Sequence, residues 1–401
     1  MIAFSNFPYE DIVQYFEESL FDLDADEIDL NYEENKQKAI QKTILDLMNL
    51  KKISFDFFNN CDILNSALQL KNSSNYFPSL EYLSISFSNY SQTEQSVFEN
   101  FGIFISNLKS LERLSLIVNG FQNQKVNYSF NIFSGIFKNI PKQLNTLKLD
   151  IQFIDLDQSS IEIFAKYLEN LNNLKYLDIQ IGKNSLLKAQ NAAILANSIQ
   201  KLTQLRGLHI IIESDNQISQ EGIIKLLQNI KYLKALENLH LDIFGNEIIS
   251  DQILKEAKFS FQNLENLIQF KWILKSKTQN KYFTDDLDQL LPSTKSLKQI
   301  DLIYEQQYDC LISRQLNKLD NLTILDIQIN LFNTSIDTDS LLQNIFQINT
   351  LEQLYLNFEK HSYNQDILTL NLDCLYIQMF KVNEANQLVV TKILQSNDNE
   401  S

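Results

Sequence analysis

The stretch "LRGLHIII" at residues 205–212 returns 31 residues later as "LENLHLDI" at residues 236–243, with its histidine in the same place. The shared pattern L-x-x-L-x-L, with conservative replacements, recurs along most of the chain. Successive copies lie 30 to 33 residues apart as far as Leu297, and then 25, 29 and 21 residues apart. The copies begin at Leu50, Leu80, Leu111, Leu144, Leu174, Leu205, Leu236, Leu267, Leu297, Leu322 and Leu351, with a shorter twelfth at Leu372. Self-similarity this regular predicts a stack of structural repeats.

Each repeat has two halves with different periodicities. The first half alternates apolar and polar residues, as in "LKYLDIQI" (174–181), which is typical of a strand with one buried face. The second half has helical spacing, as in "NAAILANSIQKL" (191–202) and "EGIIKLLQNIKYL" (221–233). In the latter, one apolar stripe is predicted from Ile223, Leu226, Leu227, Ile230 and Leu233. Asparagine in "NQIS" (216–219) and "NEIIS" (246–250) supplies the turn between strand and helix.

These motifs resemble the leucine-rich repeat family, specifically its ribonuclease-inhibitor-like subclass, over residues 46–385. The resemblance implies an α/β solenoid of about 11–12 repeats, shaped as a horseshoe. Its parallel β-sheet would line the concave face, its helices would cover the convex face, and the concave sheet would hold another protein. The sequence departs from the pattern at Phe270 and Trp272 and in the shorter spacings after Leu297.

One row of exposed residues follows from the repeat. The three leucines of L-x-x-L-x-L point into the core, so the residues between them face the concave side. The central exposed position gives one residue per repeat: Ser54, Ser84, Ser115, Lys148, Asp178, His209, His240, Lys271, Asp301, Asp326, Tyr355 and Tyr376. The two histidines recur because they occupy this row on adjacent strands. We call this row the central ladder.

The central ladder admits two interpretations at its histidines. A row of Asp178, His209 and His240 has groups that bind metals or exchange protons. A zinc site needs three or four ligands and a second shell, however, and neither a cysteine nor a third histidine follows on the ladder. The sequence therefore favours a solvated surface of mixed polarity, and we predict no metal, no cofactor and no catalytic residue.

The later repeats are the predicted contact face. Their ladder residues carry charge or aromatic rings, with isoleucines at neighbouring exposed positions, and protein interfaces combine such groups. The predicted partner-binding residues are Asp178, His209, His240, Lys271, Asp301, Asp326, Tyr355, Tyr376, Ile211, Ile273 and Ile303. The alternative is that isoleucine at these positions reflects the general abundance of isoleucine in the chain.

The two ends of the chain differ from the array. Residues 1–34 contain eleven acidic residues and no basic one, and residues 1–45 are predicted to form an acidic helical cap. Within this cap, "DLDADEIDLNYE" (22–33) resembles an EF-hand calcium loop, but Glu27 replaces the glycine that its turn needs. The stretch "FSNFPYEDIVQYFEESL" (4–20) resembles the opening helix of an F-box. Residues 386–401 are predicted to be a C-terminal helix end followed by a frayed tail.

Composition narrows the functional classes. The net charge of −16 and the presence of only three arginines oppose binding to nucleic-acid phosphates. No apolar run reaches the roughly 20 residues that span a bilayer, so no membrane association is predicted. Three scattered cysteines, Cys61, Cys310 and Cys374, suit a reducing compartment. We therefore expect a cytoplasmic protein, either free or associated with the cytoskeleton.

The expected function is that of a binding scaffold. The sequence has no phosphate-binding glycine loop, no nucleophile elbow and no H-E-x-x-H motif, and we expect no enzymatic activity. Another protein on the concave face is the predicted partner, and the oligomeric state is left open. The alternative is a substrate-recognition adaptor of a ubiquitin ligase, with an F-box-like N-terminus that docks the ligase core.

Overall fold

The computed structural model describes residues 3–5, 48–57, 77–88, 95–120, 130–182, 185, 187–213, 216, 218–245, 251–276, 296–305, 319–331, 345, 348, 350–360, 380–382 and 388–391. Its chain divides into two compact units, Met1–Leu187 and Lys188–Ser401. Each unit is described by itself below.

The first unit contains six parallel strands that follow one another in chain order. They are β1 (Ala3–Ser5), β2 (Lys52–Phe57), β3 (Tyr82–Ser88), β4 (Arg113–Asn119), β5 (Thr146–Gln152) and β6 (Tyr176–Ile181). Between them lie α1 (Gln95–Asn107), a 3-10 turn (Phe130–Phe133), α2 (Ser134–Phe137) and α3 (Gln158–Leu168). Helix α3 begins where the Asp157 carboxylate accepts a hydrogen bond from the Ser160 backbone N–H, at 2.9 Å.

The second unit repeats this plan. Its parallel strands are β7 (Gly207–Ile212), β8 (Asn238–Gly245), β9 (Gln269–Ser276), β10 (Gln299–Glu305), β11 (Ile324–Leu331) and β12 (Gln353–Lys360). Helices α4 (Ala189–Ile199), α5 (Gln220–Ile230) and α6 (Asp251–Phe261) precede β7, β8 and β9. Two short strands, β13 (Phe380–Val382) and β14 (Leu388–Thr391), complete the described part.

The repeat leucines form the core, as their spacing predicts. In the copy that starts at Leu205, the side chains of Leu205, Leu208 and Ile210 are buried. The predicted apolar stripe is buried too. It consists of Ile223, Leu226, Leu227 and Ile230 on α5 and of Leu233 shortly after the helix. Side chains of strand and helix meet directly, since the rings of Phe261 in α6 and Phe270 in β9 lie 4.9 Å apart. The other face of each sheet points away from the helices, and we call it the open face.

Parallel strands in chain order, alternating with helices, make each unit a leucine-rich-repeat solenoid. The fold class predicted from the repeat is confirmed. Eleven of the twelve predicted motifs contribute a strand at the expected place, from β2 to β12. The twelfth, at Leu372, lies outside the described residues.

Backbone hydrogen bonds tie successive repeats together within each unit, whatever side chains are present. At the start of nine strands, β3 to β6 and β8 to β12, two successive N–H groups donate to one carbonyl of the preceding repeat. Glu237 and Asn238 both donate to the Arg206 carbonyl at 2.8 Å, and Ile268 and Gln269 donate to that of Glu237 at 2.7 and 3.0 Å. This arrangement holds neighbouring strands in register.

A second set of links uses the polar residue that stands just before the first leucine of a repeat. Its side chain donates to a backbone carbonyl of the preceding repeat. Asn173 reaches the Lys142 carbonyl at 3.1 Å, and Asn266 reaches that of Lys234 at 2.9 Å. Ser110, Gln143 and Ser296 make the equivalent bond. The role of this position was not predicted from the sequence.

Aromatic rings replace leucine in part of the first unit's core. The Phe87 ring of β3 lies 5.3 Å from Phe98 and 5.1 Å from Phe101, both on α1. Helix α1 approaches α2 closely at a pair of glycines: a Cβ added to Gly102 would lie 2.2 Å from the Gly135 carbonyl oxygen. Glycine is needed here because the two backbones meet.

The two ends of the array differ from the predicted helical caps. Residues 3–5 form β1, which pairs in parallel with β2. The F-box-like helix was predicted over residues 4–20, and its first two residues, Phe4 and Ser5, lie in this strand instead. At the other end, residues 388–391 form β14, antiparallel to β12, where a helix end was predicted. The reason is tertiary, since the edge of β12 accepts a further strand and the stretch "LVVT" is compatible with strand geometry. The remainder of the acidic segment to residue 47, including the calcium-type loop, and the three cysteines lie outside the described residues.

Replacing a core leucine should lower the free energy of unfolding much more than replacing the ladder residue beside it, which points outward. Leu208 and Leu239 are each 2% exposed and lie side by side on β7 and β8. We expect Leu208→Ala to lower the free energy of unfolding by about 2–5 kcal/mol, because it leaves a cavity. The matched control, His209→Ala on the open face, should cost at most about 1 kcal/mol. Urea unfolding followed by circular dichroism measures both, and equal losses would reverse the assignment of the two faces.

Candidate functional site

The central ladder is continuous across the open face of the second unit. Parallel pairing places His209 beside His240, His240 beside Lys271, and Lys271 beside Asp301. Asp301 then pairs with Asp326, and Asp326 with Tyr355. All six side chains are half-buried. The register predicted from the repeat is therefore confirmed for these six strands, and the ladder presents partly accessible groups in an unbroken row.

The two histidines of the ladder stack on one another. Their ring centroids are 3.9 Å apart and their planes differ by 13°. Neighbouring parallel strands are about 4.8 Å apart, so equal rings at paired positions meet face to face. The two stacked rings thus occupy adjacent strands of the open face.

Lys271, Asp301 and Asp326 give the second half of the ladder its charge. Glutamines on the next row of the open face orient the side chains around them. The Gln299 amide donates to the Asp301 carboxylate at 3.1 Å, and the Gln269 amide donates to the Gln299 side-chain oxygen at 3.4 Å.

Tyr355, the ladder residue of β12, is oriented in the same way. The Tyr355 hydroxyl donates to the Gln353 side-chain oxygen at 3.2 Å. Gln269, Gln299 and Gln353 were not among the predicted site residues. They stand two positions before their ladder residues, and strand alternation alone places them on the same face.

The ladder of the first unit is less charged. Its residues also pair in sequence, from Ser54 through Ser84, Ser115 and Lys148 to Asp178. The Lys148 ammonium lies 3.9 Å from the Asp178 carboxylate, which also accepts a hydrogen bond from Gln180 at 3.2 Å. Ser115 is buried rather than exposed as predicted, because a short side chain between two flanking strands is covered by the rows around it.

The predicted isoleucines have different outcomes. Ile211 is half-buried on the open face. Ile273 is only 6% exposed, so its prediction as an accessible contact residue is wrong. It pairs with Asp242 on one side and Ile303 on the other, and a branched apolar side chain in mid-sheet is covered by such flanking rows. The side chain of Ile303, like Tyr376, lies outside the described residues.

A metal site does not arise from the histidine row within the described residues. No group of three or more His, Cys, Asp or Glu side chains there is placed to hold a metal ion. Asp178 belongs to the first unit and faces Lys148, whereas the stacked histidines belong to the second. None of the helices in the described part of the chain is both long and apolar enough to cross a membrane.

Comparison with known proteins gives distant structural likenesses. No family model and no curated protein sequence matches this chain. The solved yeast complex of Rad7 and Elc1 contains a chain that is 16% identical, with 86% of this chain and 90% of that chain covered and a TM-score of 0.39. A protein from Bacteroides fragilis is 14% identical, with 83% and 72% covered and a TM-score of 0.36. At these values neither likeness carries weight, and the fold rests on strand order and register.

The carboxyl group of Glu81, which directly precedes β3 in the first unit, has a lowered pKa. The Lys51 ammonium donates a hydrogen bond to the Glu81 carboxylate. That hydrogen bond, with the positive charge of Lys51, lowers the pKa of Glu81 below its usual range. The pair is exposed to solvent and links two successive repeats at the second residues of their motifs.

Removal of Lys51 should raise the pKa of Glu81. We expect Lys51→Met to move this pKa towards the usual range of a glutamate, because the variant lacks the hydrogen bond and the positive charge that lower it most. Because the folded-state pKa is lowered, the contribution to stability is present above the unfolded-state pKa and is lost as pH falls through the folded-state pKa. Carboxyl NMR titration measures the change, with Lys142→Met as a control. An unchanged Glu81 titration would show that the pair does not form in solution.

Proposed function

We propose that the open face of the second unit binds another protein, with the central ladder as its contact row. One observation carries this proposal: six chemically diverse side chains, from His209 to Tyr355, lie on adjacent paired strands. Five intervals of about 4.8 Å span about 24 Å, which matches a helix or a two-stranded segment better than a small molecule.

The order of polar and charged groups along the ladder favours a partner whose charged groups follow the complementary order. Imidazole and ammonium groups occupy one end, at His209, His240 and Lys271. Two carboxylates, Asp301 and Asp326, and a phenol follow. A partner that sets acidic groups against the first end and basic groups against the second would be recognised in one orientation. The glutamines that hold Asp301 and Tyr355 reduce the ordering cost on binding.

The proposal also covers the type of array, catalysis, cellular location and other ligands. The open face is the concave side of a ribonuclease-inhibitor-like array, as supported by motif copies spaced 30 to 33 residues apart as far as Leu297 and by the helices between β5 and β9. In this proposal the protein acts as a non-enzymatic scaffold. It works in the cytoplasm, does not bind nucleic acid or membranes, and needs no cofactor. The ubiquitin-ligase adaptor alternative depends on the N-terminal segment, and no contact among the described residues favours it.

A quantitative pull-down tests the proposed contact row. The bait is the intact chain, compared with a triple variant, His240→Ala, Lys271→Ala and Asp301→Ala. We expect at least a tenfold loss of one specific protein from the lysate with the variant, because central contacts dominate binding energy. Mass spectrometry measures recovery, and thermal unfolding checks that the variant is folded.

The matched control carries exposed substitutions in the first unit, Lys142→Ala, Glu162→Ala and Lys166→Ala. It should retain the same protein at the level of the unaltered chain. If the ladder variant recovers this protein as well as the control does, the central ladder is not its binding site. Loss with the control alone would move it to the first unit.

A further inference from the structure

The two most exposed large apolar side chains in the described part of the protein lie side by side on the helix side of the second unit. They are Tyr232, 52% exposed, and Phe259, 53% exposed. The Lys231 ammonium lies 5.2 Å from the centroid of the Tyr232 ring and 4.8 Å from that of Phe259. One lysine therefore bridges two exposed rings. We call Lys231, Tyr232 and Phe259 the aromatic–lysine patch.

Adjoining repeats have polar residues at the positions of these two aromatic residues, so the fold does not need a ring there. Tyr232 stands four residues before the first leucine of its repeat, where other repeats have Asn170, Lys201 and Asn263. Phe259 stands eight residues before Leu267, and the equivalent positions hold Lys166, Asn197 and Gln228. Those side chains are polar, as expected on the solvent side of a solenoid. Two exposed aromatic rings at adjoining positions therefore call for a reason other than packing.

The backbone beneath the patch is held firmly. Tyr232 follows directly after α5, whose apolar stripe is buried. Near the end of α6, the Asn263 amide donates to the Phe259 carbonyl at 2.7 Å. The Lys234 ammonium donates to the Asn263 carbonyl at 2.9 Å. These bonds join the two helix ends, so the rings are presented on a fixed surface and lose little freedom when covered.

The charge around the patch is opposite in sign to that of the whole protein. Residues 225–234 contain three lysines and no acidic residue, and residues 255–263 contain two lysines and one glutamate. These two segments together carry a charge of +4, whereas the chain carries −16. The glutamate, Glu256, accepts a hydrogen bond from Gln228 at 3.2 Å. The patch is thus a local basic and aromatic surface on an acidic molecule.

We propose that the aromatic–lysine patch docks an acidic segment of a partner protein that carries an apolar anchor side chain. The lysines would pair with carboxylates, and the outer faces of Tyr232 and Phe259 would cover the anchor. A protein segment fits better than nucleic acid, because the two segments contain no arginine for bidentate contacts with phosphate groups, and the exposed rings suit an apolar anchor side chain. This surface lies on the helix side and is independent of the central ladder.

Fluorescence anisotropy with a defined probe tests the proposal. The probe is a short fluorescein-labelled peptide in which pairs of glutamates alternate with single leucines. Two matched peptides replace either all glutamates with glutamine or all leucines with serine. The full chain should bind the first peptide saturably, and each matched peptide should bind at least about tenfold more weakly. Equal binding of all three peptides, or no saturable binding of the first, would overturn the proposal.

Variants assign the binding to the patch. Tyr232→Ser with Phe259→Ser, and separately Lys231→Glu, should each weaken binding by about tenfold or more. Because all three side chains lie at the surface, the thermal midpoint should stay unchanged. The controls are Tyr176→Ser, which removes a tyrosine that is 44% exposed in the first unit, and Lys142→Glu, and both should bind like the unaltered chain.

Two further ligands decide the class of partner. Vesicles containing phosphatidylserine and a single-stranded oligonucleotide are titrated against the same variants. Weaker binding of both than of the acidic peptide supports the proposal. Tighter binding of either, abolished by Lys231→Glu, would assign the patch to a lipid surface or to nucleic acid and overturn the protein partner. Unaltered peptide binding by the patch variants would overturn it as well.

Discussion

The whole structure depends on one constraint: a single strand–helix repeat has an apolar face that it cannot bury by itself. Neighbouring repeats bury it only when their leucines align, as Leu208 aligns with Leu239. Paired backbone hydrogen bonds at the start of the strands, such as those to the Arg206 carbonyl, hold that alignment. Stability is thus assembled from contacts between adjacent repeats, as expected of a solenoid.

The same alignment creates the candidate site. Since side chains alternate along a strand, a register that pairs leucine with leucine also pairs each outward residue with its counterpart. His209 meets His240 for this reason, and their rings stack at 3.9 Å. The helix side follows the repeat in the same manner, and Tyr232 and Phe259 stand out there because the adjoining repeats have polar residues at the equivalent positions. A solenoid therefore offers two surfaces on which a residue can be compared with its equivalents.

Much of this could be predicted because the repeat is periodic. The fold class, the eleven strands and the order of the ladder follow from leucine spacing and alternation. Other features were missed although a signal existed. The polar residue before the first leucine recurs from repeat to repeat, and in Asn173 and Asn266 it bonds to the preceding repeat. The glutamines beside Asp301 and Tyr355 could have been placed on the open face by alternation alone.

No repeating pattern in the sequence indicated which outward-facing residues are buried or how the chain end pairs. Ile273 and Ser115 occupy outward positions and are nevertheless buried, because the covering groups lie on other strands. Residues 388–391 pair with β12 because that strand presents an edge, and the edge exists only once the array has formed. The sequence by itself determined the repeat, its two faces and the identity of the ladder residues, since these depend on local periodicity. Tertiary structure decided which outward residues remain accessible, which rings meet and how the array ends. Those outcomes depend on neighbours that are distant along the chain.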